Sequence, residues 1–329
     1  MENFESLINA YVSSELKDEN YFHPLGRYYI ANTKLYNGYY WYYESSDFII
    51  DIHNLFIKED FVEDALESMQ NYVALISNFV ISGNGEWFNH YQSIEPFSMF
   101  VMDPRDKKNR YLIHKNSRLF LVGVKFKKSF LEKYYPPYSY SNNIDDLKDI
   151  FFQSKNSIVN PISRIVKDIL TCKLENIEAK LFFEEKVKEW FHITVETSED
   201  LKNFKPLSTE DEKLIENVER YISDHYSSNI PQSLLEKIAC MSGTKLKESF
   251  KKKTNLSITE FTQRKRMNIA EQLLLNTDLE IRYISKTVGY TSPSRFSKLY
   301  KRYKGVYPIE VKQMINLNKW LLYIIWEGW

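Results

Sequence analysis

Residues 284–305 read ISKTVGYTSPSRFSKLYKRYKG, and this stretch is the strongest indication of the structure of the C-terminal region. Ser292 and Pro293 mark a helix start, because serine caps a helix N-terminus well and proline suits the first helical position. At helical periodicity the following residues separate into an apolar arc (Phe296, Leu299, Tyr300, Tyr303) and an opposite polar arc (Ser294, Arg295, Lys298, Lys301, Arg302). The pattern predicts a short helix, a Gly-Tyr turn and a second helix with one basic face.

A similar sequence pattern is present earlier in the chain. Residues 232–255, QSLLEKIACMSGTKLKESFKKKTN, match residues 280–305 at an offset of about fifty. The equivalent pairs are Leu235 and Ile284, Ala239 and Val288, Met241 and Tyr290, Leu246 and Phe296, and Phe250 and Tyr300. On the second helix of the earlier copy, Leu246, Ser249 and Phe250 face inward, opposite Thr244, Lys245, Glu248, Lys251 and Lys252. Each copy has the spacing of a helix-turn-helix motif.

A long helix is predicted between the copies, because residues 257–276 carry apolar side chains at helical spacing. Such a helix is a rod of about 30 Å, close to the roughly 34 Å between successive major-groove faces on one side of B-DNA. The two motifs are therefore expected to reach adjacent major-groove segments of one duplex without a second subunit.

Charge is unevenly distributed along the chain. Residues 1–205 carry 24 basic and 30 acidic side chains, whereas residues 206–329 carry 20 basic and 14 acidic ones. Within Thr244–Lys304 the counts are 15 basic and 5 acidic. A local excess of this size attracts a polyanion, although a solvated surface of an ordinary helical domain is the simpler alternative. The repeated sequence pattern and the basic arc in each copy favour DNA binding.

Three stretches carry a family resemblance: VGYTSPSRFSKLYKRYKGVYP (288–308), MSGTKLKESF (241–250) and RMNIAEQLL (266–274). Through them, residues 208–313 resemble the AraC/XylS family of transcriptional regulators, whose DNA-binding domain has two helix-turn-helix motifs joined by a long helix. Residues 244–247, TKLK, are most similar to the corresponding residues in the branch of the family that includes siderophore-responsive regulators. The resemblance covers about a third of the chain.

The resemblance implies that bases are read from six positions: Thr244, Lys247, Glu248, Ser294, Arg295 and Lys298. Phosphate contacts are expected from Lys245, Lys251, Lys301 and Arg302, and Ser292 and Ser297 complete the predicted DNA-binding set. The sequence departs from the family pattern at Glu236, Cys240, Glu248, Ser285 and Tyr307. Glu248 stands where cations are common, so it either accepts from a cytosine amino group or repels a phosphate.

The N-terminal region has a different pattern. Residues 27–126 form runs rich in aromatic and β-branched side chains, and residues 127–200 turn to helical spacing. The helical apolar positions are Ile158, Ile162, Ile165, Ile169, Leu181, Val187, Trp190 and Phe191. The predicted fold class is α+β: a β-barrel or sandwich with a helical pair over 1–205, an all-α domain over 206–313 that begins at a Ser208 cap, and an apolar tail over 314–329. The helical pair would either form a dimer interface or close the barrel.

Residues 38–45, GYYWYYES, place Tyr39, Trp41 and Tyr43 on one strand face, and Tyr40 and Tyr42 on the other. The first three are candidate residues for the wall of an effector pocket. Their alternative role is core or interface, which is common for rings in barrel interiors. The family resemblance implies a cupin-like barrel that binds a small effector and dimerises.

Several classes of protein are not expected. Cys172 and Cys240 are too few for a disulfide scaffold, and they favour a reducing cytoplasm. Residues 1–20 lack the features of a signal peptide, and WLLYIIW is shorter than the roughly 20 residues of a membrane span. His53, His90 and His114 lack a nearby ligand set, so no metal, other cofactor or catalytic residue is predicted.

The sequence therefore predicts a cytoplasmic DNA-binding transcription regulator, and the family resemblance implies a homodimer and activator that contacts RNA polymerase and responds to a small-molecule effector. An alternative is an effector-free regulator that acts mainly through oligomerisation and protein partners. In that alternative the tail, residues 314–329, is a docking segment.

Overall fold

The computed structural model describes residues 4–11, 14–16, 22–64, 67–88, 91–106, 110–135, 144–203, 207–254, 256–304 and 306–313. The chain divides into two compact units, Met1–Phe204 and Lys205–Trp329. None of the helices within these ranges is long and apolar enough to cross a membrane. His90 and the tail, which were assigned from sequence, lie outside the described residues.

The strands described in the N-terminal unit are β1 (Ser14–Leu16), β2 (Arg27–Asn32), β3 (Tyr36–Glu44), β4 (Phe48–Ile57), β5 (Phe61–Asp64), β6 (Leu75–Ser82), β7 (Gly85–Phe88), β8 (Tyr91–Ile94), β9 (Ser98–Met102), β10 (Arg110–Ile113) and β11 (Ser117–Phe126). They form one sheet in the order β1-β2-β3-β4-β11-β6-β9 and a second in the order β5-β10-β7-β8. Both sheets are antiparallel.

The larger sheet is buried on both faces, and β3 shows how its residues divide. Tyr40 and Tyr42 share a core with Trp87 of the smaller sheet. Trp41 and Tyr43, one position along, belong to a second core that includes the helices. Because successive side chains in a strand point to opposite faces, one strand supplies both cores. The unit therefore has three layers: the smaller sheet, the larger sheet and helices.

The helices described in this unit are α1 (Phe4–Tyr11), α2 (Lys128–Tyr134), α3 (Asp145–Ser154), α4 (Val159–Leu170) and α5 (Asn176–Asn203), together with a 3-10 turn at Glu67–Asn71. The predicted stripe Ile158, Ile162, Ile165 and Ile169 is buried, which confirms the helical assignment of α4. The inward prediction for Leu181 is wrong, since its side chain is 58% exposed. The buried stripe of α5 runs through Phe183, Val187 and Trp190, and Leu181 lies away from it.

The helical layer covers a sheet face. Trp190 of α5 is fully buried against the larger sheet, and its indole N–H donates to Ser77 Oγ on β6 at 3.1 Å. Phe130, Phe151 and Phe191 pack around Phe126 at the end of β11. The buried faces of α4 and α5 thus pack against other elements of the same unit.

The C-terminal unit is helical in all of its described elements: α6 (Thr209–Asp224), α7 (Gln232–Ala239), α8 (Gly243–Thr254), α9 (Ile258–Asn276), α10 (Ile281–Thr287), α11 (Pro293–Lys304) and a final turn over 308–313. Ser208 caps α6, its Oγ accepting from Asp211 N at 3.1 Å, as the sequence predicts. Ser257 caps α9 in the same way through Glu260 N. The 19 residues of α9 make a connector of about 28 Å.

Candidate nucleic-acid interface

Two helix-turn-helix motifs, α7–α8 and α10–α11, close their turns with the same hydrogen bond. Met241 N donates to Glu236 O at 3.1 Å in the first motif, and Tyr290 N donates to Ser285 O at 2.9 Å in the second. The residue before each donor, Cys240 or Gly289, has a positive φ. A left-handed residue at this place ends the first helix and turns the chain toward the second.

The second helix of each motif is fixed from behind by its apolar residues. Leu246 and Phe250 of α8 are fully buried in a core formed with α6 and α7. Phe296 and Tyr300 of α11 are fully buried, and Tyr290 packs on Phe296 at 5.9 Å between ring centroids. The inward arcs predicted from sequence are therefore confirmed except at Leu299, which is only half-buried, and the opposite faces are directed to solvent.

The outward face of α8 presents five residues from the predicted DNA-binding set: Thr244, Lys245, Lys247, Glu248 and Lys251, all exposed. Lys245 is partly neutralised, since its Nζ lies 2.9 Å from Asp211 Oδ1 on α6. Lys253 turns back to α6, where its Nζ lies 2.7 Å from Glu216 Oε1. With Glu248 also exposed, this face has a moderate positive charge.

The outward face of α11 is more strongly cationic. Ser294, Arg295, Lys298, Lys301 and Arg302 are exposed. Within the part of the chain that the structure describes, none of these four cations forms an ion pair with a carboxylate. The ammonium of Lys301 lies 4.1 Å from the centroid of the Tyr307 ring, which orients the charge without neutralising it.

The start of α11 is well defined. Ser292 Oγ accepts from Arg295 N at 3.3 Å, and Ser292 itself is exposed. Ser297 is less accessible, and its hydroxyl donates to Pro293 O at 2.9 Å, so it can only accept from a ligand. The predicted cap is confirmed, and the exposed first turn suits a phosphate oxygen.

Two residues of this region have surroundings that were not predicted from the sequence. Lys304 adds to the positive charge of the sequence, yet it is buried and pairs with Glu271 on α9 at 2.6 Å. Thr291, which was not singled out, is exposed beside Ser292 at the turn. Only the three-dimensional packing distinguishes Lys304 from the cations of the outward face.

Residues 235–314 match a family model described as a helix-turn-helix domain. The Msm operon regulatory protein of Streptococcus mutans is 34% identical over 104 residues, which are 32% of this chain and 37% of that protein. The arabinose operon regulatory protein of Escherichia coli is 28% identical over 94 residues, or 28% of this chain and 32% of that protein. The C-terminal unit is an AraC-type helix-turn-helix domain.

A third relative of this AraC-type domain is the HTH-type transcriptional activator Btr of Bacillus subtilis, 32% identical over 91 residues, which are 28% of this chain and 17% of that protein. The chain spans less than two fifths of the length of each of these three relatives. The likeness therefore concerns the DNA-binding domain.

The aromatic residues assigned to an effector pocket lie in the N-terminal unit. Tyr39 is 45% exposed, whereas Trp41 and Tyr43 are buried against Phe183 of α5. The indole N–H of Trp41 donates to His23 O at 3.0 Å. Two of the three rings thus fill the core between sheet and helices, and their role in effector binding stays a prediction.

Two of the histidines considered as metal ligands contact carboxylates. His53 Nε2 lies 2.9 Å from Asp51 Oδ2, and His114 Nε2 lies 3.0 Å from Glu86 Oε2. Asp51 is fully buried, which by itself would raise the pKa of its carboxyl, but Lys125 and His53 lower that pKa below its usual value. No group of three or more potential metal ligands lies together among the described residues.

Proposed function

We propose that the protein is a sequence-specific transcription regulator that binds two adjacent major-groove segments of one DNA duplex. The observation that carries this proposal is the pair of helix-turn-helix motifs, each with its second helix packed from behind and a polar, cationic face directed to solvent. The connector of about 28 Å is compatible with the roughly 34 Å repeat of the major groove.

Within this proposal, some side chains of the DNA-binding set read bases and others contact phosphates. Arg295 and Lys298 are exposed near the start of α11 and read guanine edges, because cations there can donate to O6 and N7. Thr244, Lys247, Glu248 and Ser294 are the other base-reading candidates. The phosphate contacts are assigned to Lys245, Lys251, Lys301 and Arg302, with Ser292 and Ser297 at the helix start.

The N-terminal unit is proposed to form a homodimer and to respond to a small-molecule effector, and the regulator is proposed to activate transcription through a contact with RNA polymerase. Two exposed apolar residues one turn apart on α5, Ile177 and Leu181, support dimerisation. The activator role rests on likeness to Btr.

Sedimentation of the wild type and of an Ile177→Lys/Leu181→Lys variant tests the dimer, and a wild type that sediments as a monomer would exclude it.

The first test of DNA binding is selection from a random duplex library with the full chain at two salt concentrations. Two enriched short motifs about one helical turn apart are expected, with affinity that falls as salt rises. An Arg295→Ala/Lys298→Ala variant should lose one of the two motifs. The matched control is Arg282→Ala/Lys286→Ala, which removes two exposed cations from α10 and should keep both.

The outcomes are distinct. Salt-sensitive binding with no enriched sequence would contradict sequence-specific recognition. Loss of the same motif in the control variant would show that general charge, and not the outward face of α11, determines the preference. A reporter assay with a chain that ends at residue 313 then tests the alternative function, since retained DNA binding with lost activation would identify the tail as a partner surface.

A further inference from the structure

One side chain joins the turn of the second helix-turn-helix motif, and the segment that precedes the first motif, to the connector. Arg266, in the middle of α9, donates from Nε to Tyr226 O at 2.6 Å and from Nη2 to Ser228 O at 3.0 Å. These carbonyls belong to the segment between α6 and α7. From Nη1 it donates to Gly289 O, in the turn of the second motif, at 3.3 Å. The guanidinium also lies 5.2 Å from the centroid of the Tyr290 ring.

The two segments that Arg266 joins are also in direct backbone contact. A Cβ atom built on Gly289 would lie 2.2 Å from Ser227 O, so the turn of the second motif approaches this backbone as closely as a glycine allows. The φ of Gly289 is 83°, a conformation that suits glycine. The segment before the first motif and the turn of the second therefore form one contact, with the Arg266 guanidinium bonded to both.

Each recognition helix is separately attached to the connector. Phe250 of α8 packs edge-on against Phe261 of α9, with ring centroids 5.4 Å apart. Lys304 of α11 pairs with Glu271 of α9, and Tyr303 donates its hydroxyl to Gln263 at 2.8 Å. These contacts fix each motif to α9, whereas Arg266 is bonded at once to the second motif and to the segment that leads into the first.

We propose that Arg266 fixes the distance and rotation between the two recognition helices, and so determines the half-site spacing that the protein accepts. Arginine is required because its planar guanidinium supplies several donors in a fixed geometry, whereas a lysine ammonium is a point donor on a flexible chain. Arg266 is a positioning residue: the inference rests on the proposed function and assigns it no contact with DNA.

The consequence for recognition follows from DNA geometry. Adding one base pair between the half-sites moves the second by about 3.4 Å and turns it by about 34°. If the Arg266 bonds hold the two recognition helices at one distance and rotation, both helices cannot reach the shifted half-sites unless these bonds break. Without these bonds, the second motif keeps its own contacts with α9 but loses its hydrogen-bonded link to the segment before the first motif, so its orientation is less tightly held and several spacings become acceptable.

The test measures binding of the full chain to duplexes in which the two half-sites selected by the wild type are set at the native spacing, one base pair closer, or one or two farther apart. The wild type should prefer one spacing by at least about tenfold, as for a lost base-specific contact. For Arg266→Met and Arg266→Lys we expect that preference to fall to about threefold or less, with the single half-site preferences unchanged. Lys265→Met, which removes the neighbouring cation of α9, should keep the wild-type profile.

The result that overturns the inference is a variant whose affinity falls by the same factor at every spacing, because the bonds of Arg266 would then be structural only. Thermal unfolding of each variant is measured alongside, and if Arg266→Met fails to fold, Arg266→Lys decides by the same criterion. Absence of any enriched sequence with the wild type would instead overturn the proposed function, so the two failures are distinguishable.

Discussion

Cys240 and Gly289 occupy the same position in the two turns, each following the first helix of its motif with a positive φ, 51° and 83° respectively. The conformation is unstrained for glycine, whereas a side chain in the left-handed region costs about 1–2 kcal/mol. The first motif therefore carries a local strain that the second avoids.

Replacing Cys240 by glycine should raise the free energy of unfolding of the C-terminal unit by about 1 kcal/mol, because the left-handed strain exceeds the entropic cost of glycine. The converse change, Gly289→Ala, should lower it by about 1–3 kcal/mol, since the new Cβ meets Ser227 O. Denaturant titrations of the full chain measure both. A Cys240→Gly variant less stable than the wild type would show that the strain is not there.

The buried pair of Lys304 and Glu271 should be sensitive to removal of one partner. Both side chains are almost fully buried, so Lys304→Met leaves an uncompensated carboxylate and should cost about 3–5 kcal/mol. The double variant Glu271→Leu/Lys304→Met should recover most of this loss, as two apolar groups replace the pair. Thermal unfolding of the wild type, of Glu271→Leu, of Lys304→Met and of the double variant measures the coupling, and additive losses would exclude a direct interaction.

Asp211 should weaken DNA binding through its contact with Lys245. Because Asp211→Asn frees an exposed ammonium for a phosphate, affinity should rise by a few fold, and the slope of log affinity against log salt should steepen by about one. The matched control is Glu212→Gln, which removes a charge from the same turn of α6. If both variants bind equally tightly, general acidity of the turn, and not the Lys245 contact, is responsible.

Arg295 and Lys301 should differ in how their loss affects binding. Arg295→Ala should relax the preference at one base position at a cost of about 1–3 kcal/mol, whereas Lys301→Ala should weaken all sequences alike. Selection followed by binding to single-base variants of the site separates the two effects. An unchanged preferred sequence in Arg295→Ala would show that Arg295 does not read a base.

Replacement of Lys155, in the N-terminal unit, should raise the melting temperature by an amount that depends on pH. Burial lowers the pKa of Lys155 from 10.5 to about 8, so below pH 8 the folded state holds a desolvated charge. Lys155→Met should therefore raise the melting temperature at pH 7. The gain should shrink as pH rises from about 8 to 10.5 and vanish above that range, where the lysine is neutral in both states.

The acceptor of Lys155 keeps a partner when the lysine is removed, since Gln92 Oε1 also accepts from Val101 N at 3.0 Å. Lys167→Met, at an exposed position of α4, is the control and should leave the melting temperature unchanged at each pH. A gain for Lys155→Met that is the same at pH 7 and pH 10.5 would show that packing, and not desolvation, is its cause.

Local pattern by itself determined the helix-turn-helix motifs. Ser292 with Pro293, the left-handed position at Gly289 and the buried arc of Phe296 and Tyr300 are short-range features, because a capped amphipathic helix is specified by residues within a few turns of one another. The long strands of the N-terminal unit were also predictable from their aromatic and β-branched composition.

The smaller sheet was harder to predict. Its strands β5, β7 and β8 have only four residues each, too few for a period to be read, and β5 and β7 become strands by pairing with β10, which is distant in sequence. The same limit applied to α5, where two apolar stripes compete and only packing against the larger sheet buries Phe183 and exposes Leu181.

The sequence determined which helices carry the cationic faces, since that depends on spacing within one element. Tertiary structure alone decided which cations remain available. Lys304 meets Glu271, Lys245 meets Asp211 and Arg266 meets the carbonyls of two separate segments, whereas Arg295 stays on an exposed face. The physical reason is that a side chain's charge is set in sequence, but its partners come from elements that only folding brings within hydrogen-bonding distance.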